Sequence, residues 1–204
     1  MQSNCFPINK LKFIKEYFYR KNRLIDAVYN NDIDEVNKLI NNGYEIDYKS
    51  YYNWNGSSAL MIACYYGYYE IVKILIDNGA NVNFTDNNKR TPLCNAILDL
   101  NIKKKEPSIV INILDELIKN GANKNIITNL ERTPLLDAIN EGNSQIVRFL
   151  LQHRFLELEI NQEIKSGWYK GKSILDLAKN NCAIKRYLSW YSNDKGSQFY
   201  FIDI

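Results

Sequence analysis

The chain has 204 residues, 46% of them apolar and 24% charged, which is the composition of a folded protein rather than a disordered one. A formal net charge of +3 is too small to indicate binding to nucleic acid or to a membrane surface. No apolar run approaches the roughly 18 residues of a membrane span, and Lys10, Lys12 and Lys15 interrupt the region where a secretory signal would lie. We therefore expect a cytosolic protein, in its own cell or in a host cell.

Residues that usually carry catalysis or bind metals are few and scattered. The four cysteines, Cys5, Cys64, Cys94 and Cys182, lack metal-ligand spacing, which predicts free thiols in a reducing compartment. The single histidine, His153, has no acidic or cysteine partner in register, and we expect it to cap the end of a helix. A glycine-rich phosphate loop is missing as well. We therefore predict a protein that is not an enzyme, with no catalytic residue, no metal and no cofactor.

A helix is predicted over residues 8–20, after a loose end closed by Pro7. Leu11, Ile14 and Phe18 share one face, and lysines are interspersed among them. Two interpretations stay open. A basic amphipathic helix of this kind can bind a membrane or a partner, whereas the favoured interpretation is a cap that covers the apolar end of the structure that follows.

The most informative stretch runs from Ser57 to Thr91. Leu60, Ala63 and Cys64 fall at i, i+3 and i+4, and so share one face of a short helix that Gly67 ends. A second apolar run over residues 71–76 follows, and Asn78-Gly79 stops it because glycine accepts the left-handed conformation at a helix C-terminus. The unit is therefore helix, turn, helix and long loop.

The unit recurs along the chain. The start Ser58-Ala-Leu is repeated at Thr91-Pro-Leu, 33 residues later (91 − 58), and at Thr133-Pro-Leu, a further 42 on (133 − 91). A copy at Ser173 follows after 40 more (173 − 133), and a degenerate one at Asn22 comes 36 earlier (58 − 22). The helix stops recur too, at Asn42-Gly43, Asn78-Gly79 and Asn120-Gly121.

These starts and spacings resemble the ankyrin-repeat family, whose repeats of about 33 residues begin with Thr-Pro-Leu-His-x-Ala. The resemblance covers roughly residues 22–190 and implies an all-α solenoid of about five helix-turn-helix repeats with capping ends. The expected division is a tail and capping helix over 1–21, the repeats over 22–190 and a tail over 191–204. Met61, Cys94, Leu136 and Asp176 stand where the family has its structural histidine.

The later repeats depart from the pattern. Pro92 to Gly121 takes 29 residues (121 − 92) where Ala59 to Gly79 takes 20 (79 − 59), so an insertion falls near residues 101–108. It contains Lys103–Lys105, which we interpret as a solvated loop, with phosphate or an acidic partner as the alternative ligand. Pro107 is expected in the first turn of the next helix.

The chain also changes after the fourth repeat. Arg154 replaces the stop glycine, and the loop over 155–170 is predicted to protrude or to fold against the last repeat. That repeat is expected to have a short second helix with Ile184, Tyr187 and Leu188 inward.

In the ankyrin family, partners usually contact the ends of the first helices and the loop tips, along the concave face. The helix positions implied here are Tyr29, Asn30, Tyr65, Tyr66, Leu98, Asp99, Asn140 and Glu141. The tip positions implied are Tyr51, Tyr52, Trp54, Asn55, Asn87, Asn88, Arg90, Asn129, Leu130 and Arg132. Those of the first repeats are aromatic, and aromatic residues are enriched in binding hot spots.

The resemblance therefore implies a protein-binding module that acts as an inhibitor or adaptor by occupying another protein. Heavy use of Asn, Ile, Lys and Tyr, whose codons are A/T-rich, favours a viral, phage or bacterial factor directed at a host protein. Two alternatives remain: an immunity protein that blocks a toxin enzyme, and a nucleic-acid- or nucleotide-responsive regulator that uses Lys103–Lys105, Arg90 and Arg132.

Overall fold

The computed structural model describes residues 22–50, 55–98, 105–130, 132–153, 164, 169–178 and 180–193. Its architecture is the all-α repeat solenoid that the sequence predicts. The capping helix predicted over 8–20, Arg154, most of the loop predicted over 155–170 and the tail after residue 193 lie outside the described residues. So do Lys103 and Lys104 of the insertion.

The helices come in pairs, and each pair is one repeat. The first pair is α1 over residues 22–29 and α2 over Ile33–Asn41. The later pairs are α3 (Ala59–Tyr66) with α4 (Tyr69–Asp77), α5 (Pro92–Ile97) with α6 (Pro107–Lys119), α7 (Pro134–Glu141) with α8 (Ser144–Gln152), and α9 (Ile174–Leu177) with α10 (Cys182–Asn193). First helices α3, α5, α7 and α9 stack in one layer, and second helices α2, α4, α6, α8 and α10 in the other.

The recurrent Ser/Thr of the motif is the N-cap of each first helix from α3 onward. The side-chain oxygens of Ser58, Thr91, Thr133 and Ser173 each accept a hydrogen bond from the backbone N–H three residues on. Where proline follows, it occupies the first helical position, at which a backbone N–H has no partner within the helix. Such a cap contributes about 0.5–2 kcal/mol to helix stability, so the motif is a helix-start signal.

The glycines end the helices as expected. Gly67 closes α3 and Gly142 closes α7, with φ of 79° and 74° in the left-handed region. The predicted Asn-Gly stops after α2, α4 and α6 are confirmed, since each asparagine is the C-cap and each glycine has a positive φ. A residue with a Cβ is strained in that conformation.

The core lies between the two layers and continues from repeat to repeat. The inward Leu and Ala of the motif are buried, as predicted, with side chains at most 2% exposed: Leu60, Ala63, Leu93, Ala96, Leu135 and Ala138. The second helices add Ile71, Val72 and Leu75 in α4 and their equivalents in α6 and α8. Burying this apolar surface is the main stabilising contribution to a stack of helix pairs.

The histidine position of the family motif is filled differently in each repeat. Met61 is fully buried, and Cys94 receives a contact of 3.5 Å from the Thr91 hydroxyl. Asp176 instead forms a capping box with Ser173, in which each side chain accepts from the other residue's backbone N–H. The position is therefore always the third of the first helix, but no single hydrogen bond is kept.

The loops between repeats also stack, through hydrogen bonds from one loop to the next. At the tips, the backbone N–H of Asn87 donates to the carbonyl of Asn55, and that of Asn129 donates to the carbonyl of Asn88, both at 3.0 Å. At the other end of the loops, the Asp47 carboxylate accepts from the Asn81 N–H at 3.0 Å. These bonds fix the tips relative to one another.

The last repeat differs from expectation. Its first helix α9 has 4 residues and its second helix α10 has 12, so the prediction of a short second helix is wrong. Ile184 and Leu188 are buried as predicted, whereas Tyr187 is only half-buried. The long α10 lies against α8, which lets it cover the apolar side of repeat four despite the short α9.

His153 is the C-cap of α8, as expected, but not through a charged side chain. Its ring lies 4.3 Å from that of Phe149, and burial lowers its pKa below the ordinary value of 6.5. Among the described residues, Lys124 places a cation at this helix end, and its ammonium donates to the His153 carbonyl at 2.9 Å. A lysine of the preceding loop therefore supplies positive charge where the sequence predicts the histidine to do so.

Candidate protein-binding surface

Four tyrosines gather where the first two repeats meet, at the turn between first and second helices. We call Tyr29, Tyr65, Tyr66 and Tyr68 the tyrosine cluster. The rings of Tyr29 and Tyr66 make an edge contact at 5.6 Å across the repeats, and Tyr66 stacks on Tyr68 at 5.5 Å. Tyr65 meets Tyr66 edge-on at 5.1 Å. Tyr29 is 48% exposed, and the other three are half-buried.

Burial raises the pKa of both Tyr66 and Tyr68, and the nearby Tyr29 raises each pKa further. These two phenols therefore stay protonated and keep their donor protons. Aromatic rings with a polar rim, already packed against one another, form a surface of low conformational entropy.

Lys105 borders the cluster and closes α5. This helix ends at Ile97 without a left-handed glycine, because Leu98 has an extended backbone. The Lys105 ammonium takes over the capping role and donates to the carbonyls of Ala96 and Leu98, both at 2.8 Å. It also lies 5.5 Å from the centre of the Tyr65 ring. Lys105 is therefore a cap rather than the solvated or phosphate-binding lysine that the sequence suggested.

A second group of candidate residues lies at the loop tips, at the opposite ends of the first helices. Asn55, Asn87 and Asn129 are exposed there and belong to the tip ladder described above. The turn predicted at Asn55-Gly56 is confirmed, since both residues have a positive φ. Because α3 has 8 residues, the tips and the tyrosine cluster are separated by about 12 Å along the helix.

A hollow opens between the second and third of these tips. We call it the tip hollow, and it is lined by Asn88, Arg90, Thr128, Leu130, Arg132 and Asp137. Leu130 is 41% exposed at its edge. Each arginine stands directly before a Thr-Pro helix start, so the two come from equivalent positions in neighbouring repeats.

Arg132 is held in place by contacts with Asp137 and Tyr169. Its Nε donates to Oδ1 of Asp137, and the side chains are 16% and 3% exposed. Its guanidinium also lies 5.6 Å from the ring centre of the buried Tyr169. Burial raises the pKa of Asp137, and the charge of Arg132 opposes that rise. Both Asp137 and Tyr169 are absent from the sequence-derived site. Asp137 lies inside a helix and Tyr169 in a turn 37 residues beyond Arg132 (169 − 132), and nothing local marks either one as its partner.

The remaining candidates are dispersed. Asn30 and Asn140 are exposed, and Glu141 is half-buried. Leu98 is only 9% exposed, so its side chain offers little area to a partner. The candidates outside the described residues are Tyr51, Tyr52, Trp54 and Asp99. The proposed contact surface as a whole stays a prediction, and the structure divides its described part into the tyrosine cluster and the tips.

The described part of the chain offers no other obvious chemistry. No group of three or more His, Cys, Asp or Glu side chains in it is placed to hold a metal ion. Cys64 and Cys94 are buried free thiols, and burial raises the pKa of both. Among the described helices, none combines the length and the apolar character needed to cross a membrane.

Comparison with known families agrees with this architecture. The family model described as ankyrin repeats (3 copies) matches residues 24–104 and 108–198. No curated protein matches the chain. The fold and the stacked tips define a helical-repeat module of the kind that binds other proteins. The chain belongs to the ankyrin-repeat family.

Proposed function

We propose that this protein acts by occupying a partner protein, as an inhibitor or adaptor with no catalytic step of its own. The observation that carries the proposal is the tyrosine cluster, which joins two repeats and leaves Tyr29 about half exposed. Contiguous apolar surface that stays exposed on a protein marks an interaction site. Tyrosine is also enriched among the few residues that dominate binding energy.

The tips extend the proposed surface. Their asparagines offer exposed amides in a fixed ladder, and such groups suit a polar rim around an aromatic centre. We propose that the unassigned Tyr51, Tyr52 and Trp54 belong to the same surface. In this proposal the partner is a host protein and the site of action is the cytosol, where buried thiols such as Cys64 stay reduced.

The nucleic-acid alternative has less support. It relied on cations at Lys103–Lys105, Arg90 and Arg132, yet the Lys105 ammonium is bound to two carbonyls of the chain itself. The charge of Lys105 is therefore poorly placed to neutralise a phosphate. An immunity protein would use the same mode of action as the proposed inhibitor and would differ only in the identity of its partner.

The test is a quantitative pull-down that compares wild-type protein with Tyr29→Ala, Tyr66→Ala and Trp54→Ala. A hot-spot tyrosine contributes about 2 kcal/mol or more, so we expect the affinity for a captured partner to fall about 30-fold. Tyr29→Ala is the cleanest variant, because Tyr66 also packs against the core.

Lys73→Ala is the matched control, because Lys73 is exposed on α4 in the other helix layer. The proposal fails if the aromatic variants bind like the wild type while Lys73→Ala does not, since the binding face is then the second-helix side. Thermal melting of each variant separates lost binding from lost folding. A marked loss of stability in Tyr29→Ala would assign the cluster to the core instead.

A further inference from the structure

The tip hollow is lined by two arginines from neighbouring repeats. Arg90 belongs to the second tip and Arg132 to the third, 42 residues apart (132 − 90). Both positions are fixed by the loop backbone. The Arg90 N–H donates to Oδ1 of the buried Asp86 at 2.9 Å, and the Arg132 N–H donates to the Thr128 hydroxyl at 3.2 Å.

Arg132 is held in one orientation, yet Asp137 uses only part of its hydrogen-bonding capacity. The Asp137 carboxylate accepts a hydrogen bond from the Nε–H group, whereas a guanidinium carries five N–H donors in a fixed fork. Burial raises the pKa of Tyr169 to about 12, so the ring beside the guanidinium stays neutral and does not cancel its charge. An arginine held in this way loses little side-chain entropy when it binds a further anion.

Arg90 contributes a second charge without a carboxylate of its own. No acceptor among the described residues binds its guanidinium. The Arg90 charge lowers the pKa of Asp137, the carboxylate to which Arg132 is already hydrogen-bonded. The lining of the hollow thus holds two cations and one anion. Among the described residues, Glu141 is the other acidic group that acts electrostatically on both Arg132 and Asp137, and it opposes the binding of a further anion.

We propose that the tip hollow binds the carboxylate of a glutamate or aspartate side chain presented by the partner. Arg90 and Arg132 donate to its oxygens, and Leu130 covers the aliphatic stem. Paired guanidinium groups match the planar geometry of a carboxylate, and charge-assisted bonds to it are short and strong. This inference rests on the proposed function, because it specifies the chemistry of the same partner.

The test uses a small probe, N-acetyl-glutamate N-methylamide, titrated into the full chain labelled with ¹⁵N. We expect saturable shifts in the Nε–Hε signals of Arg90 and Arg132 and in the backbone amide of Leu130. The glutamine analogue, which lacks the charge, should cause no saturable shift. Arg90→Gln should weaken binding at least about tenfold, because it removes charge-assisted hydrogen bonds. Arg90→Lys should restore only part of the affinity, because an ammonium lacks the planar fork.

Two variants test whether the effect is specific to the hollow. Lys89→Asn removes one charge at the adjacent residue, whose φ of 58° asparagine tolerates, and it should leave the affinity within about twofold. Glu141→Gln should strengthen binding, because it removes the opposing charge. Equal losses from Lys89→Asn and Arg90→Gln would overturn the proposal, since binding would then follow net charge alone.

Two other anions test whether the hollow prefers a side-chain carboxylate to a chain-terminal carboxylate or to phosphate. N-acetylglycine presents a chain-terminal carboxylate, and inorganic phosphate presents a different anion. Tighter binding of either one than of the glutamate probe would refute a side-chain carboxylate site. If no probe binds while the tyrosine variants still lose the partner, the inference about the hollow is wrong and the proposed function stands. If the glutamate probe binds while the tyrosine variants keep their affinity for the partner, the tyrosine cluster is not the binding centre.

Discussion

Lys105→Met tests the most specific contact that the structure adds to the sequence. The substitution keeps most of the aliphatic stem, which passes Gly67, and removes the ammonium. The carbonyls of Ala96 and Leu98 then lose donors at 2.8 Å, in a part of the chain where both residues are buried. Since α5 has no glycine cap, no other described group replaces the lysine at these oxygens.

The expected size follows from those two bonds. A hydrogen bond to a charged group contributes about 1.5–3 kcal/mol, and the lysine loses up to about 2 kcal/mol of side-chain entropy when it is held. Lys105 is half-buried, so solvent further reduces the gain. We therefore expect the free energy of unfolding to fall by about 1–3 kcal/mol. For a chain of this size that corresponds to a decrease in Tm of roughly 2–12 °C.

The assay is thermal and urea unfolding of Lys105→Met beside Lys73→Met, which makes the same substitution at an exposed site on α4. Hydrogen exchange should also become faster over α5 and the start of α6. A difference of less than about 0.5 kcal/mol between the two variants, the usual range for surface substitutions, would refute the capping role. If added phosphate stabilised the wild type but not Lys105→Met, the phosphate-binding interpretation of the insertion would be correct.

Two further predictions concern the core and the histidine. Leu93→Ala removes a fully buried side chain of α5 and should lower the free energy of unfolding by about 2–5 kcal/mol in denaturant titrations; a loss below about 0.5 kcal/mol would contradict its burial. Burial lowers the pKa of His153 in the folded chain below 6.5, so between the folded and unfolded pKa values the unfolded chain binds more protons than the folded chain. The free energy of unfolding should therefore rise with pH through that window and level off above it. His153→Gln should flatten this rise in melting curves recorded between about pH 5.5 and 7.5, around the unperturbed histidine pKa, and an unchanged slope would exclude His153 as its cause.

Much of the fold is local chemistry that recurs in phase, and for that reason the sequence predicts it. Thr91 caps a helix with its own side chain, Pro92 suits the first position, and Asn78-Gly79 ends a helix through a conformation that glycine adopts easily. These effects act within four or five residues, so they can be read without knowing any distant contact. Their repetition indicates the solenoid, because one helix pair cannot bury its apolar face without a neighbour.

The candidate site was only partly predictable. Position along the chain predicts the tyrosines at the first-helix ends, but the ring contact between Tyr29 and Tyr66 joins residues 37 apart (66 − 29). Position also predicts Arg132 as a tip residue, but not Asp137 or Tyr169, which hold it. The length of α10 differs from the prediction because the helix continues against α8 to Asn193, beyond residue 190, where the repeats are predicted to end.

The sequence by itself determined the start signals of the repeat helices, the Asn-Gly stops of α2, α4 and α6, the buried Leu and Ala of the motif, and that the repeats stack. Only the tertiary structure decided which charges are available for binding. A run of three lysines has the composition of a solvated loop, yet Lys105 is bound to carbonyls that the preceding helix leaves without a partner. The physical reason is that a charged side chain responds to burial and to acceptors brought near by packing, and neither is encoded in its neighbours along the chain.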